Sequence, residues 1–129
     1  MGYRPDVLVV EDDAAIRELV METLIDEGYD VVSLSCGRAA MASPLIPKLV
    51  LLDRHLGDCD AGAVLAVVGR SWALSSVPVV LMSASSTVHT EAGELGVEGT
   101  LAKPFQLDAL VACVRGFLDQ RLEAREVGA

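Results

Sequence analysis

Short apolar runs alternate with amphipathic stretches along the chain. Val7-Leu8-Val9-Val10 is a β-branched run that stops abruptly at Glu11-Asp12-Asp13. Leu49-Val50-Leu51-Leu52 repeats the pattern and stops at Asp53; Val79-Val80-Leu81-Met82 stops at Ser83. Runs this short, without polar alternation, predict strands buried on both faces. Val31-Val32-Ser33-Leu34 and Gly99-Thr100-Leu101-Ala102 are weaker strand signals. Between them lie helical patterns. Ile16, Leu19, Val20 and Leu24 fall on one face, and Gly28 stops that helix. Residues 37–42 make a short helix, cut off by Pro44 and Pro47. Val64, Leu65, Val67 and Val68 predict a largely buried third helix. Residues 87–95 make a poorer one, with Val88, Ala92 and Leu95 as anchors and Gly93 inside it. Leu107, Leu110, Val111, Val114, Leu118 and Leu122 form a clear last stripe.

Strand and helix in fivefold alternation read as an α/β fold with a parallel sheet. Right-handed crossovers put helices on both faces. The 129 residues suit one domain, assigned to 1–123, with 124–129 as a C-terminal tail. Apolar residues make up 52% but aromatics only 4%, so the core is aliphatic. Acids outnumber bases 19 to 10, for a net charge of −9. That balance argues against direct nucleic-acid binding and against an anionic membrane surface. The apolar run 63–68, which no other exceeds, is far short of the ~20 residues a membrane span needs. Cys36, Cys59 and Cys113 are scattered and odd in number, fitting neither a disulfide framework nor a zinc pattern. A reducing, cytoplasmic setting is expected.

The strand ends carry the candidate chemistry. In an open parallel sheet, ligands bind outside the carboxyl ends of the strands. Here those ends bring together Glu11 and Asp12, Asp53, Ser83 and Lys103. Three acids and one lysine leave the cluster at −2. A like-charge pair at about 4 Å costs up to about 4 kcal/mol at an effective dielectric near 20. A divalent cation cancels that repulsion, and Mg²⁺ suits a site with few carboxylates. An Asp carboxylate can act as a nucleophile toward phosphorus. Phosphoryl transfer needs charge neutralisation and positioning more than acid–base chemistry. Lys103 can hold a phosphoryl oxygen as a point charge, and the Ser83 hydroxyl can donate a hydrogen bond to another.

The chain resembles the receiver domain of two-component response regulators over roughly residues 6–122. VLVVED at 7–12, LVLLD at 49–53, VPVVLMSA at 77–84 and LAKPF at 101–105 carry the resemblance. Four motifs in order, each at a strand end, make a specific signal. The resemblance implies a flavodoxin-like, doubly wound five-stranded sheet of order 2-1-3-4-5. It implies that Asp53 accepts phosphate from a histidine kinase or a histidine phosphotransfer protein. It implies Mg²⁺ held by Asp12, Asp53, Glu11 (mostly through water) and the backbone carbonyl of His55. It places Ser83 at the switch hydroxyl, Ala84 as a backbone N–H donor to the phosphoryl group, and Lys103 as the phosphate-binding lysine. The Lys103–Pro104 bond is expected to be cis. Such a domain phosphorylates and dephosphorylates itself but has no conventional substrate turnover. The output protein, self-association into a homodimer, and membership of a longer regulator stay open.

The sequence departs from the family pattern at several points. The acidic pair is Glu-Asp rather than the commoner Asp-Asp. Gly57 stands where proline is usual, and Ala61 where glycine is, which predicts a mobile loop over 54–61. Thr100 replaces the usual Tyr or Phe of the switch. Threonine has no ring to turn, so the short fourth helix is expected to shift or order instead. His55, two residues after Asp53, and Ser85, two after Ser83, occupy positions that tune phosphoryl lifetime in this family. Asp58 and Asp60 read as solvated loop acids, and His89 as an exposed residue of the fourth helix. Three other functions compete. A degenerate receiver would act as a binding module alone, but the acids and Lys103 oppose that. A dehalogenase-like phosphatase needs a second Asp where His55 stands. FMN binding needs a phosphate cradle where Glu11-Asp12-Asp13 would repel it.

Overall fold

The computed structural model describes the backbone of residues 2–128 and the side chains of 2–119. Strands and helices alternate in the order β1 (Val7–Val10), α1 (Ala14–Asp26), β2 (Val31–Leu34), α2 (Gly37–Ala42), β3 (Leu49–Asp53), then α3 (Ala61–Leu74), β4 (Val79–Ser83), α4 (Val88–Leu95), β5 (Gly99–Ala102) and α5 (Leu107–Gly128). All pairings are parallel, in the order β2-β1-β3-β4-β5. The expected flavodoxin-like topology is the one found.

Successive side chains on a strand point to opposite faces, and the core divides accordingly. Leu8, Val10, Val50, Leu52, Val79 and Leu81 pack with Val64 and Trp72 of α3 and with Val88 and Ala92 of α4. Val7, Val9, Leu49, Leu51, Val80 and Met82 pack with Val20 and Leu24 of α1 and with Leu110 and Val114 of α5. Every residue of β1, β3 and β4 is buried, which is why their sequences show no alternation.

The helix ends follow their local chemistry. Asp13 caps α1, its carboxylate accepting from the Ile16 N–H at 3.0 Å. The helix closes through the Gly28 N–H to the Ile25 carbonyl and the Tyr29 N–H to the Leu24 carbonyl. That closure needs the left-handed backbone of Gly28, at φ 93°. α4 forms despite Gly93 and a Thr87 cap with no side-chain hydrogen bond, because Val88 and Ala92 are buried.

Three apolar expectations need correction. Leu19 is 47% exposed and Val67 58% exposed. On α1 the buried positions are Val20 and Leu24, so Leu19 is turned to the flank. On α3 they are Ala61, Val64 and Trp72; an all-round apolar stretch cannot indicate which side meets the sheet. Leu107 is also exposed at the start of α5. Leu122 lies outside the described side chains, and the backbone of 124–128 continues α5. Among the described residues, no helix is long and apolar enough to cross a membrane.

Candidate phosphoryl-transfer site

The strand register builds the site. Val10 pairs with Leu52, Leu52 with Leu81, and Ser83 with Ala102. The residues that end or follow β1, β3, β4 and β5 therefore share one rim. The order of connection reverses between β1 and β3, the crevice where ligands of such sheets bind.

Glu11, Asp12 and Asp53 each place a carboxylate oxygen within 4.8 Å of the others. Glu11 is fully buried and Asp53 nearly so, while Asp12 is exposed. Lys103 reaches across from the end of β5, its Nζ ion-paired with Glu11 and 3.3 Å from Asp53 Oδ1. Burial, foremost, pushes the Glu11 carboxyl up to about 7; its hydrogen bond with Asp53 adds to this and Lys103 opposes it. Burial pulls the Lys103 ammonium down, but hydrogen bonding to Glu11 and the charges of both acids outweigh it and hold it above its ordinary value. The three acids are a hard, oxygen-only donor set of the spread a small divalent cation accepts.

Ser83 is buried at the end of β4. Its Oγ accepts from the Ser85 N–H at 3.0 Å and lies 3.5 Å from Glu91 Oε1 of α4. Ala84 follows it on the exposed rim. Thr100 Oγ1 stands 3.1 Å from Nδ1 of His89, so the exposed His89 bridges α4 to β5. The Lys103–Pro104 bond is cis.

The loop after Asp53, expected to be mobile, is tied down by several backbone and side-chain contacts despite Gly57. His55 and Asp60 form an antiparallel bridge, the Leu56 N–H donates to the Cys59 carbonyl at 2.9 Å, and the Ala61 N–H to the Arg54 carbonyl at 3.0 Å. The exposed His55 turns its N–H toward Asp53 Oδ1 at 3.4 Å. Asp60 caps α3 through the Ala63 N–H and pairs with Arg54. Asp58 accepts from the Gly37 and Arg38 N–H groups, each at 2.9 Å, binding the loop to the start of α2. Those backbone donors, Arg38 first, hold its carboxyl below its ordinary value. Neither acid is merely solvated. The thiols of Cys59 and Cys113 are pushed up by burial, as befits packing residues.

Reading the sequence missed two partners of the site. Arg17 Nη1 donates to the Glu11 carbonyl at 2.8 Å and to that of Asp12 at 3.4 Å, clamping the turn that carries both acids. Arg54 Nε donates to Glu91 Oε2 at 2.6 Å. Only the place of Arg17, one turn into the helix after the acids, hinted at the first; nothing local signalled the second.

A family model described as the response regulator receiver domain matches residues 7–115. This chain belongs to that family. The receiver is 37% identical over 119 residues to the DNA-binding response regulator MtrA of Mycolicibacterium paratuberculosis, covering 89% of this chain and 52% of that one. It is 31% identical over 118 residues to RpaA of Synechocystis, a DNA-binding dual master transcriptional regulator, covering 88% and 49%. It therefore spans about half the length of these curated relatives. Among solved structures, chemotaxis protein CheY4 of Vibrio cholerae superposes with a TM-score of 0.75 at 26% identity, covering 90% of this chain and 100% of that one. NtrX of Brucella abortus superposes with a TM-score of 0.80 at 30% identity, covering 98% and 29%.

Proposed function

We propose that this receiver is a phosphoacceptor switch of a two-component pathway, with Asp53 taking the phosphoryl group. The supporting observation is the crowding of Glu11, Asp12 and Asp53 within 4.8 Å beside the ammonium of Lys103. The donor is a phosphohistidine of a sensor kinase or of a histidine phosphotransfer protein. Its P–N bond breaks as a P–O bond forms to an Asp53 carboxylate oxygen. The departing imidazole keeps the bonding pair and takes a proton from solvent. Lys103 holds one phosphoryl oxygen by charge. Ser83 donates its hydroxyl proton to another, and the Ala84 N–H supports the same group. Glu11, Asp12 and Asp53, with the His55 carbonyl as a further ligand, would hold magnesium, which would supply charge neutralisation. Hydrolysis of the acyl phosphate resets the switch, and the His55 side chain tunes its rate. We place the protein in the cytoplasm, where its three free thiols stay reduced. Its acidic surface leaves DNA contact to other parts of a regulator or to a partner protein.

Acetyl phosphate plus magnesium, read by intact mass and gel filtration, tests this reading. The wild type gains the mass of one phosphoryl group and Asp53→Asn gains none. Gel filtration of the same samples shows whether phosphorylation drives homodimer formation. An unchanged wild-type mass would refute the reading.

A further inference from the structure

Phosphoryl chemistry at Asp53 does not account for Glu91. This residue lies in the first turn of α4, and its side chain is only 15% exposed. Its two carboxylate oxygens face different partners. Oε2 accepts from Arg54 Nε at 2.6 Å, and Oε1 lies 3.5 Å from the Ser83 hydroxyl. Arg54 is itself fixed: its N–H donates to the Met82 carbonyl at 2.8 Å, and its Nη1 lies 3.5 Å from the capping Asp60. Glu91 is thereby held to a frame of β3, β4 and α3, with one oxygen turned to the switch hydroxyl.

A hydroxyl has one proton to donate. The Ser85 N–H already occupies an acceptor position on Ser83 Oγ, so that proton needs an acceptor elsewhere. The Glu91 carboxylate lies within reach, at 3.5 Å. Once Asp53 carries a phosphoryl group, the same proton is wanted there, and it cannot serve both. We propose that Glu91 is the positioning residue of the switch. It holds the Ser83 hydroxyl toward α4 in the resting receiver, and the turn of Ser83 to the phosphoryl group removes that tie between α4 and the end of β4. The proposal rests on the phosphoacceptor reading of Asp53.

The composition around α4 supports this route. Thr100 offers no ring to carry movement outward; its Oγ1 instead meets His89, two residues before Glu91. The helix is thus tied to the sheet rim by polar contacts at both residues. Phosphorylation exchanges the Ser83–Glu91 contact and leaves the Arg54–Glu91 and Thr100–His89 contacts as pivots. An anionic phosphoryl group also repels the Glu91 carboxylate, and Arg54 takes up that charge.

The test is amide NMR of α4, residues 88–95, with and without beryllofluoride plus magnesium. In the wild type, beryllofluoride shifts these resonances. In resting Glu91→Ala they already lie along the path toward the beryllofluoride-bound positions, and beryllofluoride binds roughly threefold or more tighter because no resting contact competes. Resting Ser83→Ala shifts the same amides in the same direction, and the double variant moves them no further. This second variant keeps the proposal testable should Glu91→Ala not fold. Resting α4 resonances at wild-type positions in both variants, or additive shifts in the double variant, would overturn the proposal. No beryllofluoride uptake by the wild type would instead refute the phosphoacceptor reading beneath it.

Discussion

The Lys103 ammonium stands 3.3 Å from Asp53 Oδ1 and is also paired with the buried Glu11. One cation from the end of β5 thus serves acids from the ends of β1 and β3. Lys103 offsets the acids of the resting site, and in the proposed reaction it also meets the incoming phosphoryl group.

Lys103→Met separates those roles. It keeps an apolar stem and removes the charge, leaving the acids facing one another. Without metal, the variant loses about 2 kcal/mol of stability, read by thermal denaturation in chelator. Magnesium binds at least as tightly as in the wild type, because the competing cation is gone; calorimetry checks this. Phosphoryl acceptance falls by about a hundredfold, read by the rate of mass gain.

Glu11 predicts a pH dependence with a definite sign. Its carboxyl sits at about 7 in the folded protein, from burial first and the Asp53 hydrogen bond second. In the unfolded chain a Glu titrates near about 4.3. Between those values the folded protein holds a proton that the unfolded chain has released. This contribution to stability is present below about 4.3 and is lost as pH rises through about 7. In chelator, the wild type should lose stability relative to Glu11→Gln between pH 5 and pH 8. Magnesium should lessen that loss, since it favours the deprotonated carboxylates. Parallel curves for the two proteins would contradict this.

Arg17 holds the turn that presents Glu11 and Asp12, donating to both backbone carbonyls. Arg17→Ala is expected to cost about 1.5–3 kcal/mol, the range for hydrogen bonds from a charged donor. It should also weaken magnesium binding, although it removes a positive charge from beside the acids. Tighter metal binding in the variant would show that charge outweighs geometry here.

Gly37 tests the attachment of the loop after β3. A methyl group there would meet Cys59 Sγ at 2.1 Å and Val64 Cγ2 at 3.2 Å. Gly37→Ala should cost about 1–3 kcal/mol through overpacking. Adding Cys59→Ala should return most of that loss. Denaturant titration of the three variants decides it; a double variant no better than Gly37→Ala would contradict the contact.

The sheet and the acids were legible in the sequence for one physical reason. A parallel strand buried on both faces is a solid apolar run, so the charged residue that ends it stands out. Glu11 and Asp53 are visible that way, whereas Lys103 follows the half-buried β5 and is marked only by the LAKPF motif. Contacts set by helix docking leave no such trace. Arg54 and Glu91 are 37 residues apart and meet only once α4 packs beside β4. Asp58 reads as a loop acid until the start of α2 settles on it. Leu19 and Val67 lie at the flanks of apolar stripes, where periodicity cannot tell the sheet side from solvent.

The most direct measurement is incubation with phosphoramidate, a small P–N phosphoryl donor, with magnesium or with chelator, followed by peptide mass mapping. The account predicts one phosphoryl group, on Asp53, formed with magnesium and abolished by chelator. A phosphoryl group on another residue, or labelling indifferent to chelator, would contradict it.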